Sequence, residues 1–178
     1  MLGTTADPPA AYELLERHLG RSIDRDAVRV RRARRESELL ARELPLPGVR
    51  ALLEAAREAR LLLAVASSSD RAWVRGHLER FRLLPLFHAI ACADDVERTK
   101  PFPDLYLAAL ARLEVVAGEA VAFEDSPHGV SAAKRAGLFC VAVPNRVTRG
   151  GDFASADMVI PSLSDVALAD IFRAASAD

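Results

Sequence analysis

Three features of this 178-residue sequence predict an α/β fold, a three-layer sandwich around a mainly parallel sheet. From Leu61 onward, short apolar runs alternate with amphipathic stretches, the pattern of strand–helix–strand units whose strands are covered on both faces. Three successive runs then end in polar groups suited to a site: Ser67, the loop carrying Lys100, and the adjacent acids Glu124 and Asp125. Finally, 51% hydrophobic and 28% charged residues supply both a core and a solvated surface.

Taken in order, residues 1–9 are polar, end in Pro8-Pro9 and read as loop. Ala10 to Leu19 is predicted as a helix closed by Gly20. Asp24 to Leu44 is highly charged, its arginines balanced by Glu36, Glu38 and Glu43, and reads as a solvated helix. Leu46-Pro47-Gly48 breaks the chain before an amphipathic helix over Val49 to Arg60. These first 60 residues form one segment, and 61–178 form the α/β core. The core strands are expected at 61–66, 89–93, 120–123, 139–143 and, weakly, 158–160. Helices are expected at 71–83, 104–113, 129–136 and from a Ser164 cap to Phe172.

The bulk numbers exclude several classes. A net charge of −1 argues against a general nucleic-acid binder. No apolar run is long enough for a membrane-spanning helix, and the N-terminus lacks the layout of a signal peptide, so the cytoplasm is the expected location. Cys92 and Cys140 lie in apolar runs and read as reduced, buried thiols. The four histidines lack metal spacing, and His128 reads as a helix-start surface residue. Arg146 and Arg149 read as surface-loop residues.

The stretch Ala120 to Gly129, AVAFEDSPHG, carries the most chemistry. A strand delivers Glu124 and Asp125 to its carboxyl end, Ser126 offers an N-cap and Pro127 suits the first helical position. Open α/β sheets place ligands at that edge. Adjacent carboxylates repel, so a cation favours their ionised form, and hard oxygen ligands suit Mg²⁺. Ser67 and its neighbours Ser68 and Ser69 stand where turn and helix N–H groups can cradle a phosphate; a plain helix cap is the competing reading. Lys100, between Thr99 and Pro101, is placed to offset charge on a transferring phosphoryl group.

Four stretches then carry a family resemblance: VASSSD (65–70), ERTKPFPDLYLAAL (97–110), AFEDSPHGVSAAKRAGL (122–138) and the closing region 141–166. Together they resemble the haloacid-dehalogenase-superfamily phosphohydrolases, in the branch of β-phosphoglucomutase-like and sugar-phosphate phosphatases. The resemblance implies a Rossmann-like core and a helical cap remnant over residues 1–60. It implies that Ser67 and Lys100 bind the transferring phosphate, that Asp125 is a direct Mg²⁺ ligand and that Glu124 orients the metal's water shell. The expected substrate is a small phosphorylated metabolite, and a monomer is expected of a complete chain.

One departure stands out. The family opens with a strand ending in Asp-x-Asp-Gly, whose first aspartate becomes aspartyl-phosphate and whose second is the general acid/base. Residues 1–60 supply no such motif: Asp7 precedes two prolines, and Asp24 and Asp26 sit at a charged helix start. The expectation is a chain that opens in mid-cap, without a central strand, leaving two unpaired edges and a gap in the core. The hypotheses are a Mg²⁺-dependent phosphomonoesterase, a phosphosugar mutase, or a binder of phosphate esters without turnover.

Overall fold

The structure, a computed structural model, describes residues 9–176. The loop expected at the N-terminus lies outside the described residues up to position 8. The chain divides into two compact units at Leu44/Pro45.

The first unit holds helices α1 (Pro9–Leu19) and α2 (Arg25–Leu40). Asp24 caps α2 by accepting from the Ala27 N–H at 2.9 Å. Glu16 ties the helices together, accepting from Arg25 at 2.6 Å and from the Ile23 N–H at 3.2 Å. No residue of α2 is buried, as its charge balance implies, and the helix stops short of the expected Leu44.

The second unit begins with α3 (Val49–Glu58), entered through Gly48 at φ +84°. A Cβ at Gly48 would overlap the backbone of Leu163, so this position requires glycine for both its conformation and its packing. There follow β1 (Ala64–Ala66), α4 (Arg71–Arg80), β2 (Ala89–Ala91), α5 (Asp104–Leu113), β3 (Val121–Glu124), α6 (Pro127–Arg135), β4 (Phe139–Ala142), β5 (Met158–Val159) and α7 (Leu168–Ala175). All three strand pairs are parallel.

Several boundaries differ from expectation for local reasons. The first strand is three residues, not six, because the His88 ring nitrogen Nδ1 accepts the Leu63 N–H at 3.1 Å where a ladder would continue. The helix from Arg71 ends at Arg80, and Arg82 turns the chain at φ +56°. Ser164 caps nothing: Ser162 accepts from the Ser164 N–H at 3.2 Å in a single 3₁₀ turn, and α7 starts at Leu168.

The strands form two separate parallel groups, β1–β2 and β3–β4–β5. Among the described residues β1 and β3 each have one edge without a strand partner. A cavity of about 620 Å³ has residues 64–66 and 121–123 from these strands in its wall, with Leu138 and Ile171. Parallel strands are ordinarily covered on both faces, yet every residue of β1 is only partly buried. The two strand groups thus border a shared cavity, with β1 and β3 both in its wall.

Burial is concentrated around β3, β4, α5 and α6, where Val130, Ala132, Ala133, Cys140 and Ala142 are fully buried beside Tyr106 and Leu138. A smaller cluster joins Ala91, Leu105 and Ala109. Both cysteines are free and buried, as read from their apolar settings. Burial, followed by the nearby Glu124 and Asp157 charges, pushes the Cys140 thiol up to about 12. At the end of β2, Arg71 and Arg112 both donate to Asp95, which also accepts the Cys92 N–H at 2.7 Å. The Arg112 bond, the Cys92 N–H and Arg71 hold the Asp95 carboxyl well below the usual carboxylate range.

Candidate active site

Alternation along β3 determines which side chains can meet. Ala122 and Glu124 point into the protein and are buried, while Phe123 stands on the other face and is half-exposed. Glu124 therefore enters the interior as a carboxylate, and burial without partners would be costly. Two groups meet it. Lys100 Nζ and the Tyr106 hydroxyl both donate to its Oε1, and Lys100 also lies 5.0 Å from the Tyr106 ring centroid. The pair is well shielded: the side chains of Lys100 and Glu124 are 15% and 4% exposed. Burial and then the Glu124 charge push the Tyr106 phenol well above its ordinary value, so it acts as a donor to Glu124.

Lys100 arrives on the loop before α5, where the Lys100–Pro101 peptide bond is cis. Tyr106 comes from the first turns of α5 itself. On the far side, Gly129 in the first turn of α6 faces the same carboxylate, and a Cβ there would overlap it. The glycine of FEDSPHG is thus required by close approach, at an ordinary helical conformation. Ser126 caps α6 as expected, accepting from the Gly129 N–H at 3.1 Å, and Pro127 occupies its first turn.

Asp125, one residue on, is exposed. Its Oδ2 accepts from Asn145 Nδ2 at 2.7 Å, and its Oδ1 has no protein partner among the described residues. A cavity of about 480 Å³ brings Lys100, Glu124, Asp125, Asn145, Arg146 and Arg149 together. The two arginines, read from the sequence as loop surface, are exposed but line this cavity, and neither pairs with a carboxylate among the described residues. The serines are not in its wall. Ser67 Oγ accepts the Ser69 N–H at 3.1 Å, Asp70 caps α4 through the Trp73 N–H at 2.8 Å, and the buried Ser68 Oγ has no hydrogen-bond partner among the described residues. His128 is exposed, as expected.

Among the described residues no three His, Cys, Asp or Glu side chains group to hold a metal. The donor set still fits Mg²⁺, which takes one or two carboxylates and completes its shell with water and phosphate oxygens. Asp125, with one oxygen free, has the right chemistry. Glu124 has Lys100 and Tyr106 on Oε1, which suits an indirect role.

Sequence reasoning missed Tyr106, which reads as a packing residue of α5, and Asn145, which reads as loop. The signal for Asn145 was its residue type in a loop, since an asparagine side chain commonly accepts the N–H two residues on in an Asx-turn. Tyr106 left no separate signal, because its hydroxyl matters only once α5 packs beside β3.

Comparison with known proteins adds four findings. Residues 15–143 match the family model described as haloacid dehalogenase-like hydrolase. YhcW of Bacillus subtilis (strain 168) is 42% identical over 158 residues, covering 89% of this chain and 72% of that protein. A Thermotoga maritima protein named phosphorylated carbohydrates phosphatase is 42% identical over 102 residues, covering 57% of this chain and 46% of its own length. Among solved structures, CbbY from Rhodobacter sphaeroides in complex with phosphate superposes with a TM-score of 0.74 at 33% identity, covering 84% of this chain and 69% of that one. No helix of the described residues is long and apolar enough to cross a membrane.

Proposed function

The chain belongs to the haloacid dehalogenase-like hydrolases, and we propose that its site serves Mg²⁺-dependent hydrolysis of a small phosphomonoester, with a sugar phosphate as substrate class. The observation that carries this reading is the cavity in which the shielded Lys100–Glu124 pair adjoins the exposed Asp125. Support for the substrate class comes from the phosphorylated-carbohydrate phosphatase among the relatives and from the phosphate complex of CbbY.

In this scheme Lys100 binds a non-bridging phosphate oxygen and offsets the charge that develops there. Glu124 and Tyr106 fix the ammonium's position, which limits the reorganisation needed when substrate arrives. Asp125 would hold Mg²⁺ through Oδ1, with Glu124 acting on its water shell; when bound, the ion screens the phosphate so that an anionic nucleophile can approach. By family resemblance Ser67 and the N–H groups of its turn would add to phosphate binding, from a position outside the wall of this cavity. The aspartate that would form aspartyl-phosphate is not among residues 61–178 of this scheme, so these residues supply phosphate binding and charge neutralisation. Within residues 1–60, the segment up to Leu44 is proposed as the cap and α3 as the return helix of the core unit, and the cytoplasm is the proposed setting.

A second reading is a phosphate-ester binder without turnover, favoured because Asp24 and Asp26, which have the Asp-x-Asp spacing, sit at the start of α2 and not at the end of a strand. One experiment separates the two. The full chain is assayed with p-nitrophenyl phosphate and Mg²⁺, and titrated calorimetrically with glucose 6-phosphate. Turnover that EDTA removes and Asp125→Ala abolishes supports the hydrolase. Binding without turnover supports the second reading. Neither turnover nor binding in a folded sample sinks both.

A further inference from the structure

Asn145 stands in a small built structure whose geometry has a single output. Glu124 pairs with Ala142 across β3 and β4, and the Val143 N–H donates to the Glu124 carbonyl at 2.7 Å. The two chains then diverge, Asp125 heading α6 and Asn145 opening the loop after β4. Asn145 Oδ1 accepts the Val147 N–H at 2.7 Å and the Thr148 N–H at 3.2 Å. The Asn145 N–H donates to Thr148 Oγ1 at 3.0 Å, and the Asn145 carbonyl accepts the Thr148 and Arg149 N–H groups at 3.2 and 3.0 Å. Thr148 is buried, at 5% exposure, so this turn is anchored in the protein. Its carbonyl accepts the Gly151 N–H at 2.8 Å, and a Cβ at Gly151 would sit 2.7 Å from Pro127 Cγ. The turn is therefore packed against the start of α6, directly after Asp125.

Two backbone N–H groups on Oδ1 settle the orientation of the Asn145 amide. Only Nδ2 can face outward, and it donates to Asp125 Oδ2 at 2.7 Å. An exposed aspartate is otherwise free to sample its rotamers. Here one oxygen is held by a donor that is itself held at three points, and the other oxygen is left open.

We infer that Asn145 is a positioning residue for Asp125, holding that carboxylate in the one rotamer that presents Oδ1 to a divalent cation. The inference rests on the reading of Asp125 as a Mg²⁺ ligand for its function, and on hydrogen-bond geometry alone for its mechanism. Outer partners of metal-ligating groups commonly alter metal affinity by about 10–100-fold.

The test uses Asn145→Ser on the full chain. Serine keeps a short oxygen acceptor for the Val147 and Thr148 N–H groups but cannot reach Asp125. Mn²⁺ binding is measured by electron paramagnetic resonance, beside the thermal midpoint. The expected result is a wild-type midpoint with Mn²⁺ affinity lowered about 10–100-fold. Unchanged midpoint and unchanged affinity overturn the inference while leaving Asp125 as a ligand, provided Asp125→Ala abolishes Mn²⁺ uptake. A metal-free readout covers the remaining outcomes, an unfolded Asn145→Ser variant or a wild type that takes up no Mn²⁺. In ¹⁵N spectra of the wild type, the Asn145 side-chain amide resonance should shift on Asp125→Ala. If it does not move, the hydrogen bond is absent and the inference fails; if it moves without Mn²⁺ uptake, the positioning stands and the metal role of Asp125 fails.

Discussion

Replacing Gly129 with alanine sets two physical effects against each other with opposite signs. Gly129 lies in the first turn of α6 at an ordinary helical conformation, so helix propensity alone predicts a gain of up to about 1 kcal/mol. The structure predicts a loss. The new Cβ would overlap the Glu124 carboxylate, which cannot retreat without leaving Lys100 and Tyr106. Separating a shielded ion pair costs about 3–5 kcal/mol when the partner stays buried, and the Lys100 side chain is only 15% exposed. After the propensity gain, the net is a destabilisation of about 2–4 kcal/mol. For a chain of this size that lowers the thermal midpoint by roughly 5–15 °C. Gly76 provides the control: it lies within α4, and a Cβ added there meets nothing within 4 Å. Gly76→Ala should raise the midpoint slightly, with a gain of about 0.5–1 kcal/mol. Both variants are followed by circular dichroism on heating. A Gly129→Ala midpoint equal to or above that of the wild type would refute the close approach of Glu124 and α6.

Two further predictions concern groups away from the cavity. Asp95 has a folded pKa below its unfolded value, so its contribution is fully present above the ordinary aspartate pKa of about 3.9 and fades as pH falls through that value toward the folded one. Asp95→Asn should lower the urea midpoint at pH 7 and make its further decline between about pH 4 and pH 2 shallower; parallel profiles for the two proteins would contradict the arrangement. Burial raises the thiols of both Cys92 and Cys140, so neither should react with Ellman's reagent at pH 8 in the folded chain, and both should react in denaturant. Rapid reaction of either in the folded state would show that its strand is not covered.

Much of this protein is determined by residue pattern alone, because the interactions involved are local. Apolar runs placed β2, β3 and β4 near their observed positions, and the Ser126-Pro127 pair placed the start of α6, since an N-cap bond spans three residues. The pattern also singled out Lys100 and Glu124, now joined, and Asp125 beside them. Tertiary structure decided what those residues do. Whether Glu124 lies free or paired depends on α5 bringing Tyr106 beside β3 and on Gly129 leaving room, contacts between positions 18 and 24 residues apart or made through space. Asn145 reaches Asp125 across 20 residues because the β3–β4 register sets their backbones side by side. The first strand is short because the side chain of a distant histidine takes its ladder position. Local pattern specifies which elements form and which chemical groups they carry to the sheet edge. Which of those groups meet, and which oxygen is left open, is set by packing between elements distant in sequence.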